Sequence, residues 1–150
     1  MITSVKCVPF QELSLTELYD IMYLRQEVFV VEQNCPFIDA DYKDQPAWHL
    51  MCRDAEGKLI AYTRLLDAGD AYEGYTSIGR VVNAPSARGG GIGRELMRLS
   101  IAWIEKLFPN HPIKIGAQSY LLAFYQSFGF QVIGDEYLED GIPHTHMIKK

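Results

Sequence analysis

The sequence has no apolar run near the ~20 residues that a membrane-spanning helix requires. Its opening, Met1 to Phe10, carries a lysine, a cysteine and a proline and lacks the apolar core of a signal peptide, so a cytoplasmic protein outside the membrane is expected. Cysteine is scarce. Cys7, Cys35 and Cys52 are odd in number, widely spaced and without a C-x-x-C, which argues against a disulfide framework, a zinc site or a redox motif and leaves idle thiols in a reducing compartment. Basic charge is in deficit, with 14 Lys and Arg against 19 Asp and Glu. The net charge of −5 excludes the basic footprint of a nucleic-acid binder and suits a cationic small substrate. No G-x-S-x-G nucleophile elbow, internal repeat, linker or low-complexity tract occurs.

What remains is 150 residues with 48% hydrophobic content, one domain over 1–150 with enough chain to bury a core. Ser14-Leu15-Thr16-Glu17 matches a capping box. A helix follows, with Leu15, Leu18, Ile21, Met22 and the stem of Arg25 expected on its inner side, ending near Val28 to Val31. Glu32 to Pro46 reads as a loop. Trp48 to Arg53 and Leu59 to Leu66 flank a turn at Asp54 to Lys58, a hairpin pattern, and Tyr75 to Asn83 is a third strand. From Ile92 the period turns helical, with Ile92, Leu96, Leu99, Trp103 and Leu107 on one face. Ile113 to Gln118 is a strand, Tyr120 to Phe128 a short helix closed by Gly129, and Phe130 to Ile133 and His146 to Lys149 are two last strands joined by an acidic turn. The order is helix, three strands, helix, strand, helix, two strands: a mixed α/β sheet.

The most distinctive feature is Arg88-Gly89-Gly90-Gly91-Ile92-Gly93-Arg94 between the third strand and the long helix. A strand ending in glycines before a helix offers unobstructed main-chain N–H groups, and the helix N-terminus adds roughly half a positive charge, so the turn suits a diphosphate. It is not a P-loop, because no Lys-Ser or Lys-Thr follows. It is not the dinucleotide fingerprint, because Arg94 stands where the third glycine belongs. A plain surface turn is the bland alternative.

Pro85-Ser86-Ala87-Arg88-Gly89-Gly90-Gly91-Ile92-Gly93 resembles the P-x-x-[RQ]-x-x-G-x-[GA] segment of the GNAT superfamily of N-acetyltransferases, and Tyr125-Gln126-Ser127-Phe128-Gly129-Phe130 resembles its Y-x-x-x-G-F. Leu24-Arg25, Val28 to Gln33, Cys35-Pro36, Gly116-Ala117-Gln118 and Glu139 to His144 are similar to the ElaA-like branch. The resemblance implies a GNAT-type mixed, mostly antiparallel central sheet flanked by helices, and acetyl-CoA as co-substrate without a metal. It implies a pantetheine arm along Val81, Val82 and Asn83, with a main-chain N–H there facing the developing oxyanion. The diphosphate would lie on Arg88, Gly89, Gly90, Gly91, Ile92, Gly93 and Arg94. Gln118 would touch the cofactor arm, although the family more often has asparagine there. Tyr125 would donate a hydrogen bond or proton to the departing thiolate, its alternative being an amphipathic core tyrosine.

The resemblance implies an amine acceptor, on a small molecule or a peptide, and a homodimer stays open. The ammonium must lose a proton before attack, and Glu32, His49 and His144 are the candidates to take it, each with a bland alternative as a solvated acid, a strand histidine and a turn histidine. Asp39, Asp41 and Asp44 either attract a cationic substrate or are a solvated loop. His144 and His146 share a strand face, but without a third ligand at suitable spacing they do not make a metal site. Three rival activities stand beside direct transfer: an acyl-enzyme on Cys35 with His49 or His144, a non-catalytic acyl-CoA-binding or sensing domain, and transfer of a longer acyl chain suggested by Arg25 and Val28-Phe29.

Overall fold

In the computed structural model, which describes residues 1–150, seven strands form two antiparallel sheets. β1 (Ser4–Pro9), β2 (Trp48–Arg53), β3 (Leu59–Leu66) and β4 (Ser77–Asn83) lie in that order, and β5 (Ile113–Gln118), β7 (Ile142–Lys149) and β6 (Gln131–Glu139) form the second sheet with β7 in the middle. The helices are α1 (Leu15–Arg25), α2 (Ile92–Leu107) and α3 (Leu122–Gln126). The sheets meet where Thr76 bridges Ile113 in parallel: Thr76 N–H donates to Pro112 O at 3.0 Å and Lys114 N–H donates to Thr76 O at 2.8 Å.

β3 is buried along its whole length, so both alternating faces are covered. Thr63 meets Ser100 of α2, hydroxyl to hydroxyl, at 2.8 Å. Its neighbours Tyr62 and Arg64 turn the other way, toward His49 and Asp44. α2 buries Ile92, Leu96, Met97, Ser100 and Ile104. The centre of its inner face is therefore rotated from the expected one, and Leu99, Trp103 and Leu107 lie half-buried beside it. Ser100 can sit at the centre because its hydroxyl also returns a hydrogen bond to Leu96 O at 2.7 Å.

Both arms of the expected capping box at α1 are present: the Ser14 hydroxyl accepts from Glu17 N–H at 3.0 Å, and Ser14 N–H donates to the Glu17 carboxylate at 2.9 Å. The inner face of α1 is Ile21, Leu24 and Arg25, whereas Leu15 is 89% exposed, which corrects the sequence expectation for that residue. The helical stretch ends one residue past the Val28 to Val31 run at which its end was expected. It widens into a π-helical segment, Gln26–Glu32, that buries Val28 and ends before Asn34 in the left-handed region (φ 49°). β1 was not expected from the sequence. It is an edge strand in which only Cys7 is buried, so it shows no alternating apolar signal. β6 and β7 run longer than the sequence suggests because β6 bulges: Ile133 faces His146 while Tyr137 faces His144.

Candidate active site

Past the Thr76–Ile113 bridge, β4 pairs only with β3 and β5 only with β7. β4 carries one extra residue there. Arg64 opposes Gly79 and Tyr62 opposes Val82, with Arg80 held at φ 50° in the bulge. The bulge turns β4 away from β5 and opens a wedge between the sheets. Antiparallel pairing alternates. Ala84 N–H donates to Ile60 O at 2.8 Å, so Ala84 and Val82 face β3 while Val81 and Asn83 turn their main-chain groups into the wedge. A cleft of about 770 Å³ fills this opening, lined by Val81, Val82, Asn83, Arg88 and Gly93 on one side and by Ile115, Gly116, Gln118 and Tyr125 on the other.

The glycine turn lies at one end of the wedge. Gly89 (φ 96°) and Gly91 (φ 78°) take backbone conformations that side chains disfavour, and Gly91 is the residue that caps α2. A Cβ added at Gly89, Gly90 or Gly91 would meet nothing within 4 Å. The first intrahelical bond is Glu95 N–H to Gly91 O, so the amides of Ile92, Gly93 and Arg94 have no helical acceptor. The Ile92 side chain is buried and anchors the turn. Gly93 is tight instead of open, since a Cβ there would lie 3.2 Å from Asn83 Nδ2. Arg94 is committed to the far side, donating to Ser127 Oγ at 3.0 Å with its guanidinium 4.7 Å from the Phe128 ring centroid.

Tyr125 lines the cleft with its hydroxyl free of any protein partner. Burial, with Tyr120 nearby, pushes its phenol up to about 12. At neutral pH it is therefore a proton-bearing donor. Gln118 lines the same side of the cleft and donates from Nε2 to Gln33 Oε1 at 3.5 Å.

The other end of the cleft gathers Tyr72, Tyr137, Glu139, His144 and His146. His144 lies between Gln118 of β5 and Tyr137 of β6, and His146 opposes Gly116. His144 Nδ1 is 2.7 Å from Ile142 O, so Nδ1 carries the hydrogen and Nε2 is left as an acceptor in the neutral ring. His146 stacks on Tyr137 with centroids 4.5 Å apart, and burial, with Lys114 beside it, holds its pKa below the ordinary value. Tyr137 closes over the one β5 position with no side chain, since a Cβ at Gly116 would fall 2.5 Å from the Tyr137 hydroxyl. Tyr72, Tyr137 and Glu139 were missed in the sequence because they reach this site only through the β6 bulge and a loop. The shared face of His144 and His146 was the one available signal.

The three candidate proton acceptors part ways. His49 is fully buried, its ring nitrogens taken by the Tyr62 hydroxyl at 2.6 Å and Asp44 O at 2.9 Å, and it does not line the cleft. Desolvation keeps it neutral. His49 therefore fits its bland alternative, a satisfied strand histidine, and its candidacy as the base is corrected. Glu32 lines the cleft but is bound by both nitrogens of the Arg88 fork at 2.7 Å, which lowers its pKa and makes it a weak base. Of the three, only His144 keeps a ring nitrogen without a hydrogen bond in the cleft, its Nε2 lying 3.6 Å from a Glu139 carboxylate oxygen. Cys35 also lines it, with its thiol donating to Asp140 O at 3.3 Å.

The acidic stretch is not a free attractor for cations. Asp39 binds Arg25 at 2.6 Å and Arg80 at 2.8 Å, Asp41 binds Arg64 at 2.7 Å, and Asp44 binds Arg25 at 2.7 Å and Arg64 at 3.0 Å. Three arginines cancel three aspartates, and the lattice holds the loop and the β4 bulge in place. Arg25 is fully buried within it and does not line the cleft.

Burial works to raise Asp41, but hydrogen bonds from Arg64 outweigh it and hold the carboxyl at about 2. That lies below the ~3.9 of an unfolded aspartate, so its contribution is full above that value and is lost as pH falls toward 2. Unfolding free energy measured from pH 7 to pH 2 should drop across this window. Asp41→Asn should be less stable at neutral pH and show a shallower acid drop. An equal drop in both proteins would remove Asp41 from the account.

No group of three or more His, Cys, Asp or Glu is arranged to hold a metal ion, and no helix is long and apolar enough to cross a membrane. The fold matches that of a solved acyl-CoA N-acyltransferase. That protein, from Pseudomonas aeruginosa, aligns with a TM-score of 0.93 at 42% identity, over 98% of this chain and 99% of that one. Escherichia coli ElaA aligns with a TM-score of 0.91 at 38% identity, covering 100% of both chains. In sequence, ElaA of E. coli is 40% identical over 141 residues, 93% of this chain and 91% of ElaA. A model of the acetyltransferase (GNAT) domain matches residues 25–150. The chain belongs to the GNAT acetyltransferase family and is similar throughout to ElaA.

Proposed function

We propose that this protein moves an acetyl group from acetyl-CoA to a primary amine by direct attack while both are bound. The observation that carries the reading is the path from the open turn at Gly89 to Gly91 and the unbonded amides that follow it, along the β4 edge at Val81 and Asn83 that no strand covers, to the free hydroxyl of Tyr125. The path fits the coenzyme: the turn has room and unpaired donors for a diphosphate, and the β4 edge can accept an extended pantetheine arm as a further strand.

Acetyl-CoA supplies an activated thioester. Each residue then has one task. The Val81 N–H, already aimed into the wedge, stabilises charge on the thioester oxygen. His144 Nε2 takes the amine's proton, directly or through one water. Tyr125 donates a hydrogen bond to the sulfur as it leaves. Its phenol, near 12, is too weak an acid to hand over a full proton to a thiolate of ordinary pKa ~8.5, so charge stabilisation is its role. Gln118 and the Gln33 it touches close the wall along the arm. The acceptor is a small-molecule or peptide amine that meets the cleft among Tyr137, Glu139 and His144.

The test has two parts. Acetyl-CoA at a hundredfold excess over its Kd should stabilise the fold by about 2.7 kcal/mol, read as a rise in Tm. Incubation with a pooled amine set should then release free CoA thiol. A Tm rise without thiol release would favour a non-catalytic acyl-CoA-binding domain, and faster release from octanoyl-CoA would favour a longer chain. No rise at all would remove the coenzyme assignment.

A further inference from the structure

The cation nearest the open amides is already taken by the chain itself. Arg88 Nη1 donates to one Glu32 oxygen and Nη2 to the other, both at 2.7 Å, and Nη2 also reaches Asn83 O at 3.2 Å. The partners are 56 positions apart in sequence and both line the cleft. Arg88 begins the glycine turn. Glu32 ends the π-helical segment, which carries on as a strap: Gln33 meets Gln118 of β5, and Cys35 meets Asp140 at the β6–β7 turn. The strap is thus fastened on both sides, and its fastening at the glycine turn is the ion pair.

Two anions cannot share one guanidinium fork without cost. A diphosphate on the amides that follow Arg88 would place negative charge beside the Glu32 carboxylate. Both side chains keep about two-fifths of their exposure (42% and 40%), so the pair is held weakly enough to be exchanged. A deeply buried pair, such as Arg25 with Asp44, would not be.

We propose that Glu32 is an internal competitor for Arg88. It holds the guanidinium while the cleft is empty, yields it to the diphosphate on loading and retakes it as coenzyme A departs. Glu32 is therefore a positioning residue that limits affinity for the product and hastens its release. The proposal rests on the reading of the glycine turn as the diphosphate site.

The experiment is calorimetric titration of coenzyme A, and separately of pantetheine, which lacks the diphosphate, into the wild type, Glu32→Gln, Arg88→Met and the double variant. Glu32→Gln should bind coenzyme A about three- to tenfold more tightly, the range expected when an exposed bidentate competitor is removed. Pantetheine affinity should not change, and the gain should vanish in the Arg88→Met background. Equal or weaker binding of coenzyme A by Glu32→Gln overturns the proposal. So does a gain that survives in Arg88→Met, which would reveal simple charge repulsion, or one that appears with pantetheine, which would reveal a mere loosening of the strap. Those outcomes leave the coenzyme site standing. Failure of the wild type to bind coenzyme A at all overturns the site and the competitor together.

Discussion

Gly90→Val is expected to lower affinity for acetyl-CoA by on the order of 100-fold or more while leaving thermal unfolding of the free protein nearly unchanged. The choice of position matters. Gly89 and Gly91 sit at φ 96° and 78°, so any side chain there strains the backbone and a loss of binding would be ambiguous. Gly93 already faces Asn83 Nδ2, so a side chain there would disturb the protein itself. Gly90 has neither problem: its φ lies outside the left-handed region, and nothing stands within 4 Å of an added Cβ. A branched side chain at this point meets only what binds there. Losing two charge-assisted bonds from main-chain amides, at about 1.5–3 kcal/mol each, corresponds to the expected fall. A surface substitution without native partners should change stability by no more than about 0.5 kcal/mol. The checks are calorimetric titration and a thermal melt. Affinity that stays within twofold of the wild type would put the phosphates elsewhere.

What could be read from the sequence follows the range of the forces involved. The β2–β3 hairpin, β5, the start of α2 and the capping box are set by local turn chemistry and periodicity, and the structure places them where the pattern does. The glycine turn was visible for the same reason, because close approach to a ligand requires missing side chains in one short stretch. β1 escaped because an edge strand with one buried residue shows no alternation. The Asp39–Asp44 loop was misjudged because its partners come from α1, β3 and the β4 bulge, and no local pattern announces that Arg25, Arg64 and Arg80 converge on it. The side to which His49 turns was unreadable for a similar reason. A strand residue's side follows from pairing register, and His49 belongs to the covered face with Met51, Tyr62 and Arg64. The Arg88–Glu32 pair was beyond sequence reading altogether, since neither residue type nor spacing marks it.

Tyr125→Phe should lower kcat by about 10- to 100-fold and change the Kd for acetyl-CoA by less than twofold. The phenol sits 5% exposed in the cleft wall, and Phe124 and Phe130 pack against its ring at centroid distances of 5.2 and 6.0 Å. Phenylalanine keeps those ring contacts and removes only the oxygen, which has no protein partner to leave stranded. Stability should therefore hold. In the ground state a thioester sulfur is a poor acceptor and gains little from the hydroxyl. As the bond to carbon breaks, the sulfur acquires negative charge and the same hydroxyl becomes worth about 1.5–3 kcal/mol. An interaction felt only in the transition state lowers kcat and spares binding. The raised phenol pKa, about 12, sharpens the expectation, because no phenolate should form through pH 10 and the ratio of wild-type to variant turnover should stay flat to that point. Stopped-flow turnover with saturating acetyl-CoA, alongside the binding titration, separates the two quantities. A loss shared equally between Kd and kcat would make Tyr125 a wall of the pocket and move the leaving-group task to another residue.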